Sequence, residues 1–325
     1  MMSVSVITPM YNEALNIEKC YRNLREQKNI KFEWVVIDDG STDNSVEIVT
    51  NLMSSHVEDI FNIKLIKQEN AGAAAARKNG IDNCKYDVVT ILDADDKLSE
   101  RALELAFAKI SNSVDVVCYK VNFVDADGVF LSEFCYKPKN WPVSGQQAFS
   151  ECIDGWGLTG WFMIKKKTIL YTYKYISNMN IDNDNAINLD ELISRLNMYY
   201  AEEVDICDGL YIYYKNMNST TNRINKNYYT VISTALELDE FIRRQSNLDW
   251  QVRSQMHLLA TTWGVYSRYL KWSSKLDNRH DWLLSLNHLA KKIDFSLLLK
   301  DQLRIKNKIK LYIKMVLAIY LRVKY

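Results

Sequence analysis

An apolar run, Val88-Val89-Thr90-Ile91-Leu92, leads without interruption into Asp93-Ala94-Asp95-Asp96. A buried strand tolerates no bare acid, so carboxylates at its end either face water together or share a positive partner. A divalent cation suits that role: Mg²⁺ and Mn²⁺ take oxygen ligands, and Mg²⁺ commonly uses one or two carboxylates with phosphate oxygens completing its shell. Asp93 and Asp95 stand two apart on an extended backbone, hence on the same side. The same residues also fit a plain turn in which an Asp caps the helix that begins near Ser99.

Strands and helices alternate in a regular rhythm up to these acids. Residues 4–8 read as a strand, and Asn12 with Glu13 opens an amphipathic helix through about residue 27, with Leu15, Cys20 and Leu24 on its apolar face. A β-rich run at 32–37 follows, then a helix over 43–53, a strand at 63–66, an Ala-rich helix over 73–83 and the strand that ends at Asp93. Such alternation predicts right-handed βαβ units and a mainly parallel sheet covered on both faces. Ligands of open parallel sheets bind at the carboxyl ends of the strands.

Two more segments with chemical potential fall at such ends. In Thr8-Pro9-Met10-Tyr11-Asn12-Glu13, Pro9 stiffens the exit from the strand and Tyr11 offers a flat ring for a base. In Asp38-Asp39-Gly40-Ser41-Thr42-Asp43, Gly40 frees the turn and Ser41 or Thr42 can cap the next helix. Each segment alone is compatible with ordinary capping and turn chemistry; three of them in one sheet are not so easily reduced to it.

Taken together, these residues resemble the inverting glycosyltransferases of family two, of the bacterial surface-polysaccharide type, over roughly residues 3–110. The pieces come in that family's order: the Pro-x-Tyr-Asn-Glu opening, the Asp-Asp-Gly-Ser-Thr-Asp turn, the segment Asn70, Gly72, Ala76, Arg77 and Gly80, and the Leu-Asp-Ala-Asp-Asp end. The resemblance implies a GT-A fold, a Rossmann-like and mostly parallel α/β sheet. It implies that Pro9, Tyr11 and Glu13 frame the nucleotide and that Asp39 accepts a hydrogen bond from the uracil of a UDP-sugar. Arg77 would lie by the diphosphate, Asp93 would contact ribose or sugar hydroxyls, and Asp95 would ligate Mn²⁺ or Mg²⁺. The chemistry agrees: carboxylates pair with imide N–H groups, Arg forks onto phosphate oxygens, and a divalent cation neutralises a diphosphate leaving group.

Inversion by direct displacement needs one carboxylate to take the proton of the attacking hydroxyl. Asp190, in Asn188-Leu189-Asp190-Glu191-Leu192, sits where the family usually has a Glu-Asp pair before a helix. Leu189 replaces that Glu, which makes Glu191 a rival base, and Asp190 also fits an acid that merely favours a helix N-terminus. Trp156 and Trp161, within Gly155-Trp156-Gly157-Leu158-Thr159-Gly160-Trp161, are candidate sugar platforms or core residues. Tyr213, Tyr214 and Ser219-Thr220-Thr221 loosely resemble the family's Tyr-rich strand and the segment that closes over the donor.

Composition bounds the rest. A chain of 325 residues that is 48% hydrophobic can bury a full core, and 41 Lys plus Arg against 40 Asp plus Glu give no bulk attraction for nucleic acid. The six cysteines, Cys20, Cys84, Cys118, Cys135, Cys152 and Cys207, are scattered and away from His at zinc spacing, the pattern of core thiols in a reducing compartment. Residues 1–10 lack the charged and apolar regions of a signal peptide, so the expected location is the cytoplasm.

From about residue 227 the chain turns strongly helical, with Trp250, Trp263, Trp272 and Trp282 along it. A boundary near residue 222 divides a transferase domain, 1–222, from a helical region, 223–325. Residues 300–325 hold eight Lys or Arg against Asp301, interleaved with apolar residues at helical spacing. This stretch fits a helix lying on the inner face of an anionic membrane, or one packed on the protein with its basic face in water. The expected activity is transfer of a hexosyl or N-acetylhexosaminyl group to a glycan or lipid-linked glycan. A sugar-1-phosphate nucleotidyltransferase would carry a Gly-rich first turn with Lys where Pro9 and Tyr11 stand, and a dehydrogenase would need G-x-G-x-x-G. A catalytically silent glycan-binding relative is the remaining alternative.

Overall fold

Val- and Ile-rich runs that are buried along nearly their whole length can exist only inside a sheet covered on both faces. In the computed structural model, which describes residues 3–56, 61–179, 187–215, 224–300 and 308–324, they form such a sheet. Its first half alternates strictly: β1 (Ser3–Met10), α1 (Ile17–Arg25), β2 (Lys31–Asp38), α2 (Ser45–Ser55), β3 (Phe61–Lys67), α3 (Ala73–Asn83) and β4 (Val88–Ile91). These strands run parallel in the order β3-β2-β1-β4, with Ile7 opposite both Val35 and Ile91. In α1, Ile17, Cys20, Tyr21 and Leu24 recur at helical spacing and are buried. Gly80 lets α3 approach β1, since a Cβ there would meet Ile7 Cγ2 at 2.4 Å.

The second half breaks the alternation. It comprises β5 (Lys97–Leu98), α4 (Ala102–Phe107), β6 (Val114–Val124), β7 (Phe130–Glu133), β8 (Val143–Ser144), α5 (Gly145–Cys152), β9 (Phe162–Lys165), α6 (Lys166–Ile176), α7 (Leu189–Tyr200) and β10 (Glu203–Tyr214). The short β9 lies antiparallel between β4 and β6, while β6 and β10 pair in parallel, so the full order is β3-β2-β1-β4-β9-β6-β10-β5. Four residues bordered by aromatic loops carry too little periodicity to announce such an inserted strand. Asp127-Gly128 turns the chain from β6 into β7, with Gly128 at φ +83°.

The chain divides into two compact units, one built from residues 1–149, 157–178 and 193–217, the other from 150–156, 179–192 and 218–325. The first encloses the sheet and a core including Val4, Trp34, Leu92, Tyr119 and Met163. The second contains α8 (Val231–Arg243), α9 (Leu248–Trp272), α10 (Arg279–Lys292), α11 (Phe295–Lys300) and α12 (Lys308–Lys324). Its core gathers Leu258, Trp272, Trp282, Leu286 and Leu321. The boundary expected near residue 222 and the Ser219-Thr220-Thr221 segment lie outside the described residues. Among the described residues no helix is long and apolar enough to cross a membrane.

Candidate active site

The carboxyl ends of β1 and β2 are tied together by their own loops. Asp39 N donates to Met10 O at 2.8 Å, and Asn12, held at φ +57°, accepts at Oδ1 from Thr42 N at 2.8 Å and Asp43 N at 3.3 Å. Ser41 Oγ and Ser45 Oγ in turn accept from Asn12 N and Glu13 N, at 3.0 and 2.8 Å. The polar residues of both sequence motifs thus fix two loops rather than merely capping two helices. Tyr11 is left outside with half its surface open, and Pro9 sits in β1 opposite Ile37.

Asp39 is buried and its carboxylate is aimed by three donors. Gln68 Nε2 at 2.8 Å and Ala71 N at 2.9 Å donate to Oδ1, and Gly72 N at 2.9 Å donates to Oδ2. Gly72 precedes α3 at φ +86°, a left-handed conformation that favours glycine. Each carboxylate oxygen carries two lone pairs, so Oδ2 retains capacity for a further donor.

The acids beyond β4 separate into three different environments. Arg77 on α3 donates through Nη2 to Asp93, 3.0 Å from Oδ1 and 3.3 Å from Oδ2, with both side chains largely shielded from water. Asp96 is buried; its Oδ2 accepts from Tyr211 Oη at 2.8 Å and its Oδ1 from Tyr214 N at 3.0 Å. Asp95, half-buried, makes no hydrogen bond or ion pair to a side chain among the described residues. Burial and then the neighbouring Asp93 push the Asp95 carboxyl above the usual aspartate range. Burial raises Glu13 as well; Asn16 pulls it back, and Asp95, Asp93 and Asp43 push it up again. Burial, Asp93 and Asp95 together hold the Asp96 carboxyl well above its ordinary value.

Such crowding of like charge around a carboxylate with no side-chain partner among the described residues suits a hard, oxygen-seeking cation. Among the described residues no group of three or more His, Cys, Asp or Glu is arranged to hold a metal alone, so a cation at Asp95 would draw further oxygens from its ligand.

Arg77, Asp93, Asp95 and Glu13 are therefore brought together, with Asp39 on the adjoining loop. Asp190 and Glu191 lie in the first turn of α7, within the second unit, where Asp190 is exposed and its Oδ1 accepts from Glu191 N at 3.0 Å. Leu189, where the resemblance leads one to expect Glu, is 5% exposed and buried as a core residue. Trp161 packs its ring 5.4 Å from Tyr211 and 5.2 Å from Tyr213, within the aromatic core of the sheet. Sequence reasoning missed Tyr211, whose hydroxyl links Asp96 to the Asp93 backbone N–H at 3.3 Å, and Gln68, which orients Asp39. Tyr211 sits 115 residues from Asp96 and had no local signal beyond belonging to a Tyr-rich strand.

The description "Glycosyl transferase family 2" matches residues 5–150. The glycosyltransferase GlyG of Streptococcus pneumoniae serotype 4 is 26% identical over 224 residues, 66% of this chain and 72% of GlyG. AglE, a glycosyltransferase of Haloferax volcanii, is 37% identical over 133 residues, 40% of this chain and 43% of its own length. The crystal structure of S. aureus TarS 1–349 superposes over 98% of this chain and 89% of its own, with a TM-score of 0.66 at 18% identity. TarS 1–349 has also been crystallised with UDP and with UDP-GlcNAc. The likeness to TarS is one of fold; residues 5–150, which carry the four motifs in order, match glycosyl transferase family 2, and the sheet that they help to build is of the GT-A type.

Proposed function

We propose that the protein is a metal-dependent inverting glycosyltransferase that moves a sugar from a UDP-sugar to a hydroxyl of a glycan or lipid-linked glycan during surface-polysaccharide synthesis. The observation that carries the proposal is Asp95: among the described residues it is a half-buried carboxylate without a side-chain partner, pressed by Asp93, the acid that the Arg77 guanidinium pairs. Mn²⁺ or Mg²⁺ held by Asp95 would supply Lewis-acid neutralisation of the diphosphate leaving group.

The chain's own residues do the rest. Tyr11 offers its exposed ring to the base, with Pro9 and Glu13 framing the nucleotide. Asp39, aimed by Gln68, Ala71 and Gly72, keeps a lone pair for the uracil imide N–H. Asp93 orients ribose or sugar hydroxyls while Arg77 turns between that carboxylate and diphosphate oxygens. The acceptor oxygen then attacks the anomeric carbon from the face opposite UDP, the bond to the diphosphate breaks, and Asp190 takes the hydroxyl proton. Glu191 is the alternative base, one residue on along α7. The transferase domain in this scheme is residues 1–222, working in the cytoplasm, and residues 223–325 are its helical extension. The UDP and UDP-GlcNAc complexes of TarS support a uridine nucleotide as donor.

Screening UDP-sugars for hydrolysis and thermal stabilisation, with and without Mn²⁺, tests the proposal. At least one should raise the melting temperature only when the metal is present. Absence of any shift, with or without metal, would overturn it and favour a catalytically silent glycan-binding protein.

A further inference from the structure

The three acids beyond β4 belong to one tight turn. Asp96 N donates to Asp93 O at 3.1 Å, which closes a four-residue β-turn with Ala94 and Asp95 at its corners. Ala94 is buried in the core of the sheet unit, whereas Asp95 is half-buried and feels the charges of its neighbours in the turn. Like charges held this close repel one another, so the turn needs a grip from outside to keep its shape.

Tyr211 on β10 supplies that grip with a single oxygen. Its Oη donates to Asp96 Oδ2 at 2.8 Å and accepts from Asp93 N at 3.3 Å, so one phenol meets the first and the last residue of the turn. Tyr214 N, further along the same strand, donates to Asp96 Oδ1 at 3.0 Å. The phenol is itself held firmly. Tyr211 is fully buried, pairs with Leu98 of β5 and Val121 of β6 on its two sides, and packs 5.4 Å from the Trp161 ring. Leu210 N donates to Ser99 Oγ at 3.0 Å and fixes the residue before it. Burial, with the charges of Asp96 and Asp93, holds the Tyr211 hydroxyl well above the usual tyrosine range, so it remains a donor.

We propose that Tyr211 is a positioning residue, whose hydroxyl clamps the turn from Asp93 to Asp96 in the shape that presents the Asp95 carboxylate to a divalent cation before any cation arrives. The proposal rests on the reading of Asp95 as a metal ligand. A carboxylate already held in place loses less freedom on binding, so the clamp acts on metal affinity rather than on the chemical step.

Tyr211→Phe removes the clamping oxygen and keeps the ring. Tyr119→Phe is its control: Tyr119 is equally buried, its ring lies 6.4 Å from that of Tyr211, and its Oη donates to Thr90 Oγ1 at 3.2 Å rather than to the turn. Both variants should melt at lower temperature, but only Y211F should need about tenfold more Mn²⁺ for half-maximal UDP binding in calorimetry, with UDP affinity restored at saturating metal. Only Y211F should also speed amide hydrogen exchange over residues 93–96 of the metal-free chain. Ala94→Gly leaves Tyr211 in place and loosens the turn's backbone, so it should raise the half-saturating Mn²⁺ about threefold, and it decides the matter if Y211F does not fold. Three results would overturn the proposal: an unchanged half-saturation in Y211F, or in A94G where Y211F is unfolded; an equal shift in Y119F; or exchange over residues 93–96 that Y211F leaves as it was. UDP binding by the natural sequence that is indifferent to Mn²⁺ would instead sink the cation reading, and exchange in Y211F would then decide alone whether Tyr211 holds the turn.

Discussion

Asp95 in the sheet unit and Asp239 in the helical unit are both acids withdrawn from water, and the protein treats them in opposite ways. Asp239 accepts from Arg243 Nε at 2.6 Å, Ser254 Oγ at 2.7 Å and Gln255 Nε2 at 2.7 Å, so each oxygen is answered within the unit. Among the described residues Asp95 has no such answer, and Asp93 and Asp96 crowd it with like charge. Burial of charge is tolerated where it is paired and hydrogen-bonded. Where it is neither, an external partner such as the proposed cation would supply the missing charge.

Four substitutions test the contrast between paired and unpaired acids, the most damaging first. Asp190→Asn should reduce transfer by about 10²–10⁴-fold with UDP affinity nearly unchanged, since it removes only a proton acceptor; turnover close to that of the natural sequence would move the role to Glu191. Asp95→Asn should abolish the metal-dependent part of UDP-sugar binding in calorimetry while leaving the melting temperature unchanged or raised, because it relieves repulsion with Asp93. A fall in melting temperature would mean that Asp95 is structural after all.

Asp239→Ala, by contrast, should cost about 2 kcal/mol in chemical denaturation, since it leaves Ser254, Gln255 and Arg243 facing a gap. An unaffected denaturation midpoint would remove the distinction between the two acids.

The fourth asks whether the contrast follows the unit or the role. Asp115 on β6 is an acid of the sheet unit, 2.8 Å from Lys165 and 3.4 Å from Lys167, and it accepts from Glu202 N at 2.9 Å. Burial would raise its pKa, but Lys165, Glu202 N–H and Lys167 outweigh it and hold the carboxyl below the usual range. A depressed carboxylate adds stability above its unfolded pKa, and that stability is lost as pH falls through the folded value. Asp115→Asn should therefore cost about 1 kcal/mol at neutral pH and flatten the loss of stability below about pH 4. Identical acid-unfolding profiles for variant and natural sequence would refute the assignment.

How much of this was legible in the chain depends on the range of the interactions involved. The β1-to-β4 alternation, the parallel sheet and the four motifs were readable because hydrophobic period, turn residues and helix starts are local, spanning a few residues each. Gly72 and Gly80 were visible as letters, but that one needs a left-handed φ and the other a close approach to Ile7 is known only once α3 rests on β1. The division of Asp93, Asp95 and Asp96 into an ion-paired acid, an unpartnered acid and a hydrogen-bonded acid depends on Arg77, Tyr211 and Tyr214, up to 118 residues away.

The order of residues was thus enough for the family 2 motifs within residues 5–150, the strand-end placement of the acids and a basic, apolar C-terminal helix. It took the folded chain to show which carboxylate lacks a side-chain partner among the described residues, that Leu189 is buried, and that Tyr312, Val316, Ile319 and Val323 of α12 are exposed. The reason is physical. Periodicity and turn chemistry are properties of neighbours along the chain, whereas pairing, burial and the choice of a helix's outer face depend on whatever folding brings against them.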